Sequence, residues 1–302
     1  MTVKEILITI NSAMTILFQL AINGLLAAAI YGLIAGGLSF LYATTKIFHL
    51  AHGVTVLFGG YAFWWAYAAQ EWPFFNAALF AVGISAVAGL LMNEFVYEIL
   101  RRRGTKGLGY LVATLALLML GTSVILGLFG AAPKTFEFQT RSFDVAGVLI
   151  TELQVWILVV AALLLGLFFW ITKYTKFGKA MRATADNETV AEVLGIHTRN
   201  VRRLAFLFSS ILAAAAGILI GLEFNLDPNM GTLLAVKGFA AAVIGGAGSF
   251  GGALLGSLLV GELEQGAVWF WGSEWRNAVT FILLFVFLLL RPQGLFGTKR
   301  EA

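Results

Sequence analysis

The chain repeats one pattern from end to end: about twenty predominantly apolar residues, then a short polar or basic connection. A helical run of that length matches the hydrocarbon thickness of a bilayer, and in lipid a helix satisfies its own backbone groups. Such segments cover 13–41, 48–69, 74–100, 108–129, 153–172, 204–224 and 278–290. The second is interrupted by glycines. The region 233–270 is too long for one helix, and the glycines from Gly245 to Gly252 divide it in two. The expected fold class is an all-α polytopic transmembrane helical bundle of about eight or nine spans with glycine-broken or re-entrant segments, forming one transmembrane domain over 1–302. The first apolar run continues to Leu41 without the short core and small-residue cleavage site of a signal peptide, so that helix is expected to be retained.

Composition agrees with this pattern. Charged residues make up 12% of the chain and hydrophobic residues 60%, too little charge to coat a soluble protein of 302 residues. There is no cysteine, which excludes disulfides and thiolate metal sites, and the three histidines at 49, 52 and 197 are a poor basis for a zinc centre. The net charge of +4 does not point to nucleic acid, because the basic residues sit in short loops between apolar runs. Arg101, Arg102, Arg103 and Lys106 follow the third run. Lys173, Lys176, Lys179, Arg182, Arg199, Arg202 and Arg203 lie between the fifth and sixth, and Arg291, Lys299 and Arg300 follow the last. These are 14 of the 20 Lys and Arg residues, and alternation of the segments puts all of them on one side. The positive-inside rule makes that side, with the C-terminus, the cytoplasm. The stretch 131–152 and the loops near 71–73, 227–230 and 272–274 then face outward.

Two places break the apolar pattern at membrane depth. One is Lys46-Ile-Phe-His49-Leu-Ala-His52-Gly53 with Gly59-Gly60-Tyr61, and the other is Lys237-Gly238 with Gly245-Gly246-Ala-Gly248-Ser-Phe-Gly251-Gly252. Transporters place glycine-interrupted segments in corresponding positions of two halves, where freed backbone groups line a polar path. His49, His52, Gly53, Tyr61, Lys237, Gly245 and Gly246 are therefore the candidate pathway residues, with helix kinks and packing as the plainer reading. Glu94 and Glu98 share a helix face, where Arg101 and Arg102 can neutralise them. Glu223, Asp227, Glu262 and Glu264 fall near segment ends and are expected to be mostly interfacial and solvated. Gly32, Gly36, Gly37, Gly83, Gly89, Gly256 and Gly261 are expected mainly to let helices approach closely.

The polar connection 173–203 carries a short amphipathic helix. Asp186 can cap it, Val190, Ala191, Val193 and Leu194 supply an apolar stripe, and Gly195 ends it. Such a helix suits docking into a groove on a partner. No phosphate-binding loop and no hydrolase motif is present, so the chain carries no ATPase of its own.

Five ordered motifs resemble the branched-chain amino-acid-type ABC permease family. They are Phe48-His-Leu-Ala-His-Gly53 with Gly59-Gly-Tyr61; Glu94-Phe-Val-Tyr97; Gly178-Lys-Ala-Met-Arg-Ala183 through Asp186, Ala191 and Leu194-Gly195-Ile196; Lys237 to Gly246 with Gly248-Ser249, Gly252-Ala253 and Gly256; and Arg291-Pro-Gln-Gly-Leu-Phe-Gly297. His49 stands where the family usually has Asn. The resemblance implies a single permease domain in a bacterial inner membrane that works by alternating access. It implies three kinds of partner besides the lipid bilayer: a second homologous permease subunit, two cytoplasmic ATPase subunits that hold ATP and Mg, and an external substrate-binding protein. It also implies a coupling helix carrying Asp186, Asn187, Glu188, Ala191, Glu192 and Gly195. Relatives on this scaffold import urea, short amides and other small carboxylates. A proton-coupled secondary transporter built on His49, His52 and Lys237 and a passive channel are the rival expectations.

Overall fold

The structure, a computed structural model, describes residues 3–137, 140–145 and 147–296, with side chains from residue 14 onward. Gly297, Lys299 and Arg300 of the motifs above lie outside the described residues.

Each apolar run is helical. α1 is unbroken over Val3–Thr45, and its apolar, packed portion is Met14–Thr45. α2 (His52–Trp64) passes into a π-turn at Trp65–Ala69. α3 (Phe74–Met92) passes through a second π-turn at Asn93–Tyr97 into α4 (Glu98–Arg102). α5 (Gly107–Phe129) and α6 (Glu152–Tyr174) flank an antiparallel hairpin of β1 (Ser142–Val145) and β2 (Val148–Thr151), in register Ser142 to Thr151 and Val145 to Val148. α7 (Lys176–Asp186) and α8 (Glu188–Val193) lead to α9 (Thr198–Glu223). α10 (Met230–Gly245) and α11 (Phe250–Trp271) meet at a 116° elbow, and α12 (Trp275–Leu290) follows.

The chain is a multi-pass all-α membrane protein. Among the described residues five helices are long and apolar enough to cross a bilayer, or six with the bent α10–α11 pair taken as one crossing. That is fewer than the eight or nine expected, because α2, α10 and α12 have only 13, 16 and 16 residues, short of the roughly 20 a straight crossing needs. The glycines Gly59 and Gly60 do not interrupt the second segment either; α2 runs through them. The break lies just before it, at 46–51, where Lys46 takes φ +57°.

α1 and α9 form the centre, with 83% and 72% of their apolar windows buried, whereas α5 and α6 are 22% buried and present apolar faces outward. In lipid, apolar burial gives helices no preference for one another, so association rests on close packing of small residues. At the α2–α9 crossing a Cβ on Gly59 would lie 2.5 Å from Ala214 Cα, and one on Gly217 would lie 2.1 Å from the Val56 carbonyl. Gly83, grouped with the packing glycines on sequence grounds, meets nothing within 4 Å.

The two ends of the bundle differ in chemistry. At the basic face Arg101 donates to the Thr45 carbonyl at 3.3 Å. At the hairpin face Lys134 and Leu226 pair backbone to backbone, Gln19 bonds Leu149, and Gln154 donates to Glu223. The elbow depends on Gly246 at φ +111°, a conformation that excludes most side chains. α11 then starts on a Ser249 cap that accepts from Gly252 N. The last carbonyls of α10 do not go unpaired: Leu295 N donates to Ile244 O at 2.8 Å and Phe296 N to Gly245 O at 3.0 Å.

Candidate functional site

At the basic face the connection 173–203 folds as two short helices held against the bundle by charge. Asp186 is still helical, the last residue of α7, so it does not cap α8. Asn187 does: its backbone is extended (φ −154°, ψ 110°), and its side chain accepts from Val190 N at 3.0 Å. Gly195 at φ +85° ends α8, with Ile196 N donating to Ala191 O at 2.9 Å. Ala191 is buried against the protein, whereas Val190, Val193 and Leu194 are 52%, 82% and 73% exposed. Glu192 accepts from the Thr198 hydroxyl at 2.6 Å. Glu188 receives Arg101 Nη1 at 3.0 Å and also pairs with Arg202.

The neighbouring carboxylates take partners from across the fold. Glu94 is paired with Arg203 at 2.6 Å and Arg199 at 2.7 Å, both from α9. Buried Glu98 meets Arg202 at 3.3 Å and Arg102 at 3.7 Å. The expectation that Arg101 neutralises this pair is corrected: Arg101 turns to Glu188 instead. The π-turn after α3, together with α4, α8 and α9, is thus joined by one network of ion pairs.

Deeper in the bundle the histidines are packed. His49 Nδ1 lies 2.7 Å from the Tyr97 hydroxyl, and its ring meets Phe206 edge-on. His52 lies 3.4 Å from both Thr55 and Ser209, and its Nε2 is buried without a partner among the described residues. Gly53 lets α2 touch α10, since a Cβ there would lie 2.0 Å from the Gly231 carbonyl. Tyr61 donates to the Leu226 carbonyl at 3.1 Å. Gly245 and Gly246 form the elbow.

Lys237 has a different setting. It is 3% exposed and pairs with Glu264 at 2.8 Å; it also donates to the Tyr31 hydroxyl at 3.0 Å. Tyr31 in turn donates to Glu264 at 2.8 Å, and Thr280 completes the carboxylate's bonding. Burying two charges is tolerable when geometry and extra hydrogen bonds satisfy them, as here. Glu264 is therefore not the solvated interfacial residue expected. Glu262 and Glu264 are two residues apart and fall on different helix faces, so Glu264 turns into the core while Glu262 stays half-exposed. Sequence spacing gave no sign of this pair, because α10 and α11 come together only through the elbow.

Lys237 and Tyr31 lie at the base of a cavity of about 560 Å³ near the hairpin face. Polar groups (Gln154, Glu223, Arg276) and apolar ones (Ile30, Leu234) share its walls. Of the seven candidate pathway residues, Lys237 alone lines it.

The model of the family described as "Branched-chain amino acid transport system / permease component" matches residues 20–288. The chain is 32% identical over 297 residues to the high-affinity branched-chain amino acid transport system permease protein BraD of Pseudomonas aeruginosa, covering 92% of this chain and 95% of the relative. It is 29% identical to LivH of Escherichia coli, a permease protein of the same description, with the same coverage of 92% and 95%. Among solved structures, PsaBC from Streptococcus pneumoniae in complex with Fab superposes with a TM-score of 0.51 at 14% identity, over 91% of this chain and 92% of that one, a likeness of fold. A family match across nearly all the apolar helices, joined to relatives aligned almost end to end, identifies the chain as a member of the branched-chain amino acid transport permease family.

Proposed function

We propose that the chain is the membrane-spanning permease subunit of an ATP-driven importer for branched-chain or related amino acids. The observation that carries this reading is α8. It displays Val190, Val193 and Leu194 outward while Glu188 fastens it to α4 and α9. An exposed apolar patch on a helix anchored from behind suits a partner that pushes on it. Asp186, Asn187, Glu188, Ala191, Glu192 and Gly195 build that coupling element within the loop 173–203 of a single permease domain.

In this reading the basic face and the C-terminal end are cytoplasmic, on the positive-inside rule, and the membrane is a bacterial inner membrane. The shorter helices α2, α10 and α12 bring the count toward eight or nine, crossing with the help of their loops. The partners are a second homologous permease, two cytoplasmic ATPases that hold ATP and Mg, and an external binding protein. Lys237 marks the route at the cavity, Gly245 and Gly246 form its elbow, and His49, His52, Gly53 and Tyr61 make up the α2 side. Partner ATPases shift the populations of outward- and inward-open states by their differential affinity for them.

The test is leucine uptake into proteoliposomes holding the chain, its co-purified subunits and the binding protein. ATP-dependent accumulation is expected. Uptake driven by a proton gradient without ATP, or uptake of urea or short amides in preference to leucine, would overturn the reading.

A further inference from the structure

The cavity above Lys237 holds two charged groups that the fold leaves without a counter-ion. Arg276 lines it with no side-chain hydrogen bond or ion pair among the described residues, and its Nε is buried and unpartnered. Glu223 lines it as well. Its carboxylate accepts from Gln154 at 2.9 Å and has no cation within ion-pair distance among the described residues. By contrast, Lys237, which also lines the cavity, is neutralised by Glu264 behind it. The rest of the wall includes aliphatic side chains such as Ile30 and Leu234.

A buried polar atom without a partner costs free energy, so an unpaired guanidinium facing a cavity calls for an anion. Arginine presents a planar fork that suits a carboxylate in particular. A carboxylate with one neutral donor retains acceptor capacity for an ammonium. One small molecule carrying both charges beside an aliphatic group would satisfy this cavity.

We infer that this cavity is a binding site within the permease itself for a zwitterionic α-amino acid with an aliphatic side chain. Arg276 takes the carboxylate, Glu223, held by Gln154, takes the ammonium, and Ile30 and Leu234 take the side chain. The assignment rests on the import reading above and adds that specificity is read a second time, after any external binding protein.

The experiment uses the purified transporter complex in nanodiscs, without the binding protein, and tritiated leucine as the probe. Saturable binding is expected, with leucinamide and isocaproate, each lacking one charge, competing poorly. In Arg276→Gln, leucine affinity should fall about tenfold or more, and leucinamide should then compete as well as leucine, a change that mere loosening of the fold does not produce. Glu223→Gln should erase the preference for leucine over isocaproate. Because the chain lacks cysteine, Asn277→Cys at the cavity lining supplies its sole thiol. Leucine should slow that thiol's reaction with maleimide several-fold. If wild-type complex accumulates leucine with ATP, yet the Asn277→Cys thiol is unprotected and Arg276→Gln still rejects leucinamide, the cavity is not the site. If the wild type accumulates no leucine, the import reading itself fails.

Discussion

Arg101 at the end of α4 lies 3.0 Å from Glu188, the first residue of α8. The same carboxylate also pairs with Arg202 of α9, which reaches Glu98 at 3.3 Å. α8 is therefore tied by charge to the ends of α4 and α9. The exposed residues Val190, Val193 and Leu194 stand outside this network and are free to meet a partner.

Replacing Val193 and Leu194 with Asp should therefore leave the chain folded and membrane-inserted while ATP-dependent uptake falls by an order of magnitude or more, since a desolvated apolar anchor typically carries about 2 kcal/mol or more of an interface. Uptake and ATPase rates measured on the same preparation decide it. Unchanged coupling would remove α8 from the interface.

Glu188→Lys acts through the fold instead. It sets a cation against Arg101 and Arg202, so Tm should fall as well as uptake. The pair with Arg101 is half-exposed and worth about 1 kcal/mol or less, but Arg202 is buried. Pairing Glu188→Arg with Arg101→Glu should recover part of the uptake without restoring Arg202.

The Lys237–Glu264 pair predicts non-additive stability. Lys237→Met alone leaves a buried carboxylate without its cation and should cost about 3–5 kcal/mol. The double variant Lys237→Met with Glu264→Leu should recover most of that loss in thermal unfolding. Additive losses would show that the two charges do not depend on each other.

Gly53→Ala and Gly83→Ala make a matched test of helix packing. The first drives a methyl into the Gly231 carbonyl and should cost about 1–3 kcal/mol. The second meets open space and should be neutral or slightly stabilising. Unfolding curves in detergent separate them.

The apolar runs, the glycine elbow near residue 246 and the clustering of basic residues were legible in the chain, because each depends on local composition. Gly195 as the end of α8 was legible for the same reason: a left-handed backbone at a helix end favours glycine. The cap was misplaced by one residue, since Asp186 and Asn187 are both competent and the backbone of α7 decides between them. Partners across the fold were not legible. Arg101 lies close to Glu98 along the chain yet bonds Glu188, and Lys237 finds Glu264 only after a 116° bend. The hairpin of 142–151 was not legible either, because two four-residue strands are too short to give a periodic signal. The cavity was invisible in the same way, as its walls come from α1, α6, α9, α10, α11 and α12.

The pairing of Leu295 and Phe296 with the carbonyls of Ile244 and Gly245 has a consequence for biogenesis. Both donors are synthesised after α11 and α12, so the α10–α11 bend leaves the ribosome with its acceptors unmatched. Until those late residues dock, water or another protein has to occupy the spot. A nascent chain stalled before Leu295 should thus present this corner to proteases and insertion factors, and completion of synthesis should hide it.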